Sequence, residues 1–262
     1  MSRRHDHDAG GDADLLAAKA ALRERVWASL DVTGIRRFPG PWHRIPNFVG
    51  AEAAADRLRS TRSWQEAQHL KANPDSPQLP VRQRALEDGH VVFMAVPRLA
   101  GPDPFFLLDP DHLADPPRRA ASIAGATRSG RTVPLDGLTP VDLVVTGCVA
   151  VGEDGVRLGK GGGFSDLEFA IASEAGLIGP DTRVVTTVHP AQVQPAGEIP
   201  STDHDVHVDV IVTPDEVLEV PRRADDVPAR LRWAELTAEK VAAIPVLTTL
   251  HERAHKGHDG DG

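Results

Sequence analysis

The sequence predicts a layered α/β fold, a mostly parallel or mixed central sheet with flanking helices. Three observations predict it. Short β-branched runs at residues 91–96, 143–151, 183–188 and 208–212 are bounded by Gly, Pro or Asp, as strands buried on both faces are. Stretches with helical spacing lie between them, the alternation that lets parallel strands connect. The 262 residues are 40% hydrophobic and 26% charged, enough to bury one sizeable core or two modest ones.

Residues 1–12 combine Gly, His and charge without apolar periodicity and are expected to form a disordered tail. Asp14 is the expected N-cap of a first helix whose Leu15, Leu22, Val26 and Leu30 recur near helical spacing. A Pro-punctuated stretch at 38–46 precedes a second helical segment at 51–58. Residues 81–86 and 164–178 are the helices expected among the strands, and 237–250 adds a last one interrupted at Pro245. Residues 252–262 repeat the tail composition, so a single domain is expected over 13–251.

Composition narrows the function. With 29 Lys and Arg against 38 Asp and Glu, the formal net charge is -9, so the overall field attracts neither phosphate backbones nor anionic lipid. Nucleic-acid binding would need a local patch, for which Arg82, Arg84, Arg118, Arg119, Arg128 and Arg131 are the candidates. The longest apolar run, 143–151, falls far short of the roughly 20 residues of a membrane helix, and the N-terminus lacks a signal-peptide stretch; a cytoplasmic protein is expected. The single cysteine, Cys148, excludes an internal disulfide and a multi-thiolate zinc site, and lies in an apolar run as a small buried hydrophobe would. Tyrosine is absent, so no phenol serves as acid, base or stacking platform.

Two constellations carry chemistry. Residues 155–166, Gly-Val-Arg-Leu-Gly-Lys-Gly-Gly-Gly-Phe-Ser-Asp, follow an expected strand and lead into an expected helix. Gly159, Gly161, Gly162 and Gly163 allow an anion close to the backbone, and the helix N-terminus directs N–H groups at it. Arg157 and Lys160 add charge for phosphate oxygens, and Asp166 could hold a bridging magnesium ion. The competing reading is a flexible turn with solvated cations. The second constellation runs from His204 to Thr213, where alternation puts Asp205, His207 and Asp209 on one face and Val206, Val208 and Val210 on the other. That pattern suits a strand lining a site and, equally, an edge strand with one solvated face. Asp205 and Asp166 would make a two-carboxylate magnesium site if the fold joins them.

Lys19 and Arg23 lie four apart, on one face of the first helix. The loop 157–166, the segment 204–213 and this Lys19-x-x-Leu22-Arg23 helix together resemble the 5-formyltetrahydrofolate cyclo-ligase family. Val26-Trp27, residues 43–48, 71–78, 97–99 and 243–247 resemble its methenyltetrahydrofolate synthetase domain-containing subgroup, whose animal members append an RNA-recognition domain that is not expected in this chain.

The resemblance implies a Rossmann-like fold, ATP as co-substrate, Mg2+, a folate-like small-molecule substrate, and conversion of 5-formyltetrahydrofolate to 5,10-methenyltetrahydrofolate. It further implies that Lys19, Arg23, Arg157, Gly159, Lys160, Gly161, Gly162, Gly163 and Phe164 bind the nucleotide. Arg157 and Lys160 would be catalytic, Asp166 and Asp205 metal ligands, and Asp75, Phe164 and Ser165 substrate contacts. The chain departs from the family at Phe164-Ser165, where two aromatic residues are usual, and at Asp75-Ser76-Pro77-Gln78, where the folate-recognising Glu-x-x-Thr stands. Ser165 is thus expected to leave a wider pocket. An ATP-dependent enzyme acting on another pterin-like heterocycle, and a nucleotide- or RNA-associated protein without turnover, are the alternatives.

Overall fold

The structure, a computed structural model, describes residues 5–202, 205–222, 230–233 and 236–258. Its strands are β1 (His69–Ala72), β2 (Val91–Ala95), β3 (Phe105–Leu108), β4 (Arg131–Val133), β5 (Leu143–Thr146), β6 (Ala150–Gly152), β7 (Arg157–Leu158), β8 (Arg183–Thr187), β9 (Val193–Gln194), β10 (Val210–Val212) and β11 (Val217–Glu219). The α-helices are α1 (His5–Val32), α2 (Ala51–Arg59), α3 (Arg62–Glu66), α4 (Leu79–Glu87), α5 (Pro117–Ala120), α6 (Ile123–Ser129), α7 (Phe164–Glu174), α8 (Ala238–Ala243) and α9 (Pro245–His258). The α/β class is as the sequence predicts.

Eight strands form the central sheet in the order β11-β10-β8-β5-β1-β2-β3-β4. The inner five are parallel, while β3, β4 and β11 are added antiparallel at the edges. The chain passes from β1 to β2 on one side and returns to lay β5 on the other side of β1. The carboxyl ends of β1 and β5 therefore flank a topological switch point, the place where such sheets hold ligands.

Alternation along the strands sorts the core into two layers. Leu70, Ala72, Val92, Met94, Leu143 and Val145 pack with Leu58 of α2 and Val81, Ala85 and Leu86 of α4. On the other face, Phe93, Ala95, Val144, Val184 and Ile211 pack with Leu167, Ala170 and Ile171 of α7 and Leu247 and Leu250 of α9. Lys71, between Leu70 and Ala72, is thereby turned toward the α7 layer. Leu22, Val26, Trp27 and Leu30 of α1 cover Ala150 and Leu158 of a second, three-stranded sheet ordered β7-β6-β9, together with Val149 and Val156 beside them. The Pro-rich stretch folds back on α1: Trp27 lies 5.3 Å from the His43 ring and donates its indole N–H to the Arg44 carbonyl at 3.1 Å.

Several expectations change. Helix α1 begins at His5, so Asp14 is exposed inside the helix and not its N-cap; apolar spacing marks where a helix packs, not where it starts. Likewise α1 covers residues expected in the first tail and α9 runs to His258. The strand expected from His204 begins only at Val210, because His207 makes a single bridge to Val156 and Asp209 turns inward to accept from the Val184 N–H at 2.7 Å. His204 itself lies outside the described residues. Cys148 is buried, and burial pushes its thiol up to about 11. The candidate basic patch is dispersed: Arg82 is fully buried, while Arg84 pairs with Asp56 and Arg128 with Asp115. Among the described residues no helix is long and apolar enough to cross a membrane.

Candidate functional site

The site forms where three segments meet: the end of β1, the end of β5, and the loop from β7 into α7. The Asn73 N–H donates to the Val145 carbonyl at 3.1 Å, extending the β1–β5 pairing past Ala72 and fixing the start of the 73–75 turn. Beneath that turn the fully buried Arg82 donates to the carbonyls of Asn73, Asp75 and Pro74, and its Nε to Ala121 O at 2.8 Å. Burial pulls its guanidinium down to about 10, Asp75 opposing, and the retained charge is spread over carbonyl dipoles. Asp75 is in this way presented to Lys160 of the glycine-rich loop, at 3.1 Å.

The loop itself needs glycine. Gly161 and Gly163 have φ of +97° and +65°, which side-chain-bearing residues rarely adopt. A β-carbon at Gly161 would lie 3.5 Å from the Arg23 guanidinium carbon, one at Gly159 3.7 Å from Arg157 Nη1, and one at Gly163 3.7 Å from Lys240 Nζ. Arg23 reaches across from α1 and donates through Nε to the Gly159 carbonyl at 2.7 Å. Burial lowers its pKa, with Asp205 opposing. Cations from three other segments, α1, β7 and α8, thus reach a five-residue loop that carries Lys160 itself, and α7 starts at its end with Asp166 in the first turn.

The acids divide among those cations. Arg157, its side chain 2% exposed, pairs with Asp166 and donates to the Gly147 carbonyl at 3.4 Å, leaving Nε buried without a partner. Lys19 pairs with Asp205 at 2.6 Å, through the same carboxylate oxygen that accepts the Thr202 N–H at 2.9 Å. Asp166 and Asp205 are therefore each held by a separate cation, and each keeps one oxygen without a protein hydrogen bond among the described residues. No group of three or more metal-ligating side chains occurs among the described residues. One or two carboxylates completed by phosphate oxygens is the usual way of holding magnesium, and the residues present fit that arrangement. The loop fits a polyphosphate on separate grounds: the unpartnered Arg157 Nε and a glycine backbone held in the left-handed region at Gly161 and Gly163 beside Arg23 and Lys240.

Beside the loop lies a polar network that sequence reasoning missed. Lys71 Nζ donates to Glu168 Oε2 of α7 at 3.2 Å, both side chains being almost fully buried. Asn73 Nδ2 donates to the same oxygen at 3.2 Å and to Ser165 Oγ at 3.2 Å, and Ser165 in turn bonds Thr146 Oγ1 at 3.2 Å. Burial raises the Glu168 pKa, with Lys71 opposing. The Asn73 Oδ1 and Gln78 Oε1 atoms are buried without partners. Ser165 is thus tied to the ends of β1 and β5 through Asn73 and Thr146 and is not merely the small replacement of an aromatic. Phe164, half-buried, packs on the main core with its ring beside Gly162. The signal available in sequence was a charged residue at an apolar position, Glu168 within Leu167–Ile171 and Lys71 after Leu70.

A model of the 5-formyltetrahydrofolate cyclo-ligase family matches residues 13–214. The chain is 39% identical over 238 residues to a Mus musculus methenyltetrahydrofolate synthase domain-containing protein, covering 90% of this chain and 64% of that one. It is 34% identical over 238 residues to the Homo sapiens protein of that description, covering 90% and 62%. The chain thus spans less than two thirds of the length of these relatives. The NMR structure of Aquifex aeolicus 5,10-methenyltetrahydrofolate synthetase superposes with a TM-score of 0.48 at 20% identity, over 84% of this chain and 99% of that one.

Proposed function

The chain belongs to the 5-formyltetrahydrofolate cyclo-ligase family, and from that premise we propose that it is a magnesium- and ATP-dependent ligase whose first substrate to test is 5-formyltetrahydrofolate. In this reaction the formyl oxygen attacks the γ-phosphorus and ADP leaves. N10 then adds to the activated formyl carbon and loses its proton, and inorganic phosphate departs to give 5,10-methenyltetrahydrofolate. Such chemistry asks the protein for positioning and charge neutralisation above all.

The observation that carries the reading is the glycine-rich loop at the switch point, ringed by cations that exceed the acids paired to them. Arg23 and Lys160 would bind phosphate oxygens, Arg157 would support the loop and its charge from below, and Asp166 and Asp205 would hold magnesium, whose role is to neutralise charge on the transferred phosphoryl group. Asp75, Phe164 and Ser165 would face the second substrate. A second reading keeps the nucleotide and changes the acceptor to another heterocycle, and Ser165 favours it, a small residue bonded to Asn73 and Thr146 where the family usually has an aromatic ring. Methenyltetrahydrofolate absorbance and ADP release, followed across a panel of folates and other heterocycles, test both. Nucleotide binding without ADP release on any of them would leave a protein without turnover.

A further inference from the structure

We propose that Lys240 is a phosphate-binding residue, delivered to the glycine-rich loop by a carboxy-terminal helical pair. The proposal rests on the reading of that loop as a nucleotide site. It lies beyond it, since the family match ends at residue 214 and says nothing of Lys240.

Helix α8 is set by Thr237, whose hydroxyl caps it by accepting the Lys240 N–H at 3.2 Å. The following Ile244, Val246, Leu247 and Leu250 are buried in the main core beside α7. This apolar anchorage holds the helical pair on the core, and Lys240, half-buried, places its ammonium 3.7 Å from where a β-carbon of Gly163 would stand.

The charges around the loop explain what the ammonium is for. Lys19, Arg157 and Lys160 each have an acid, in Asp205, Asp166 and Asp75. Arg23 and Lys240 have no carboxylate in ion-pair contact among the described residues, and they stand against the two positive-φ glycines, Gly161 and Gly163. An ordinary surface lysine would extend into water and keep its rotamer freedom. This one is half-buried with its ammonium at the loop that Arg23 also reaches, and it lacks the carboxylate that Lys19, Arg157 and Lys160 each have, a partner that a bound polyanion would supply. The ligand chemistry is a polyphosphate, with Lys240 at the end of the loop nearest α7.

Calorimetry with the full chain tests this, using Mg-ATP and, separately, pyrophosphate as probes on wild type, Lys240→Gln, Lys240→Arg and the exposed control Glu239→Gln. Lys240→Gln should weaken Mg-ATP by roughly tenfold to a hundredfold, the loss of one charge-assisted contact. Its melting temperature should not change, because no protein partner is lost. Lys240→Arg should stay within about threefold of wild type, and Glu239→Gln should match it. If wild type binds pyrophosphate but not Mg-ATP, the nucleotide reading fails while the same comparison on pyrophosphate still decides Lys240. Equal affinity of Lys240→Gln and wild type for whichever probe binds overturns the proposal, and so does a wild type that binds neither.

Discussion

The buried Lys71–Glu168 pair should behave as two residues that are individually indispensable and jointly replaceable. The ammonium has one side-chain partner at 3.2 Å, and the two side chains are 3% and 6% exposed. Glu168→Leu would leave a charge buried with no acid, and Lys71→Met would leave a carboxyl whose counter-charge is gone. Breaking a buried pair in this way costs about 3–5 kcal/mol. At about 2–4 °C per kcal/mol for a chain of this size, each single variant should melt roughly 6–20 °C below wild type. The double variant Lys71→Met/Glu168→Leu, apolar and of similar volume, should lie within about 1–2 kcal/mol of wild type, the residual being the Asn73 amide that loses one acceptor. The variants also differ in pH dependence. Glu168 has its folded pKa raised, so its contribution is complete below the usual carboxylate range and is lost as pH rises through the raised value. The Lys71→Met deficit should therefore shrink as pH falls and Glu168 takes a proton, whereas the Glu168→Leu deficit should shrink as pH rises, because only the wild type loses the Glu168 contribution. Urea unfolding at several pH values measures both. Single variants that each cost under about 1 kcal/mol and add in the double would refute the coupling.

Arg157→Ala should weaken Mg-ATP binding by about 1.5–3 kcal/mol, and unchanged affinity in calorimetry would count against the phosphate site. Gly161→Ala forces a β-carbon onto a backbone with φ of +97°, 3.5 Å from the Arg23 guanidinium; a loss of about 1–2 kcal/mol of stability together with weaker nucleotide binding is expected, and a silent substitution would contradict the cradle. Cys148, its thiol pushed up to about 11 by burial, should resist a thiol reagent at pH 8 until urea unfolds the chain, and labelling of the folded protein would contradict its placement. Ser165→Tyr removes the hydroxyl that Asn73 and Thr146 share, so it should destabilise by about 1–3 kcal/mol and leave folate turnover unimproved; a faster folate reaction would show that shape alone limits it.

The strands that sequence reasoning found are those whose two faces are both apolar. In β2 and β5 each residue meets hydrophobic side chains above and below, and the run of Val, Leu, Phe and Met is continuous. The central strand β1 escaped notice although it is flanked on both sides, because its four residues are His-Leu-Lys-Ala. Leu70 and Ala72 serve one layer, and Lys71 enters the other only because Glu168, 97 residues away, neutralises it there. No local pattern contains that information, since the partner that makes Lys71 tolerable belongs to a different element. The edge strands β4 and β11 were missed because they are three residues long and partly polar, whereas β3, the wholly apolar Phe105–Leu108, carried a signal that went unread.

The same division runs through the site. The glycine-rich half was legible because its parts are contiguous: glycines with positive φ, the helix start and Asp166 follow one another, and Lys19 and Arg23 are joined by helical spacing. The rest comes from placement by the core. Lys240 reaches the loop because Leu247 and Leu250 bury α9 beside α7, and Asp75 reaches Lys160 because Arg82 gathers three consecutive carbonyls beneath it. Those two packing choices set the charge at the loop, one supplying an acid to Lys160 and the other adding a cation with none. A substitution that loosens α9, such as Leu247→Ala, costing about 2–5 kcal/mol of core packing, should therefore weaken polyphosphate binding through Lys240 while leaving the Arg82-held turn and its Asp75 in place. Weakening confined to stability, with affinity intact at a temperature where the variant is folded, would separate the helical pair from the site.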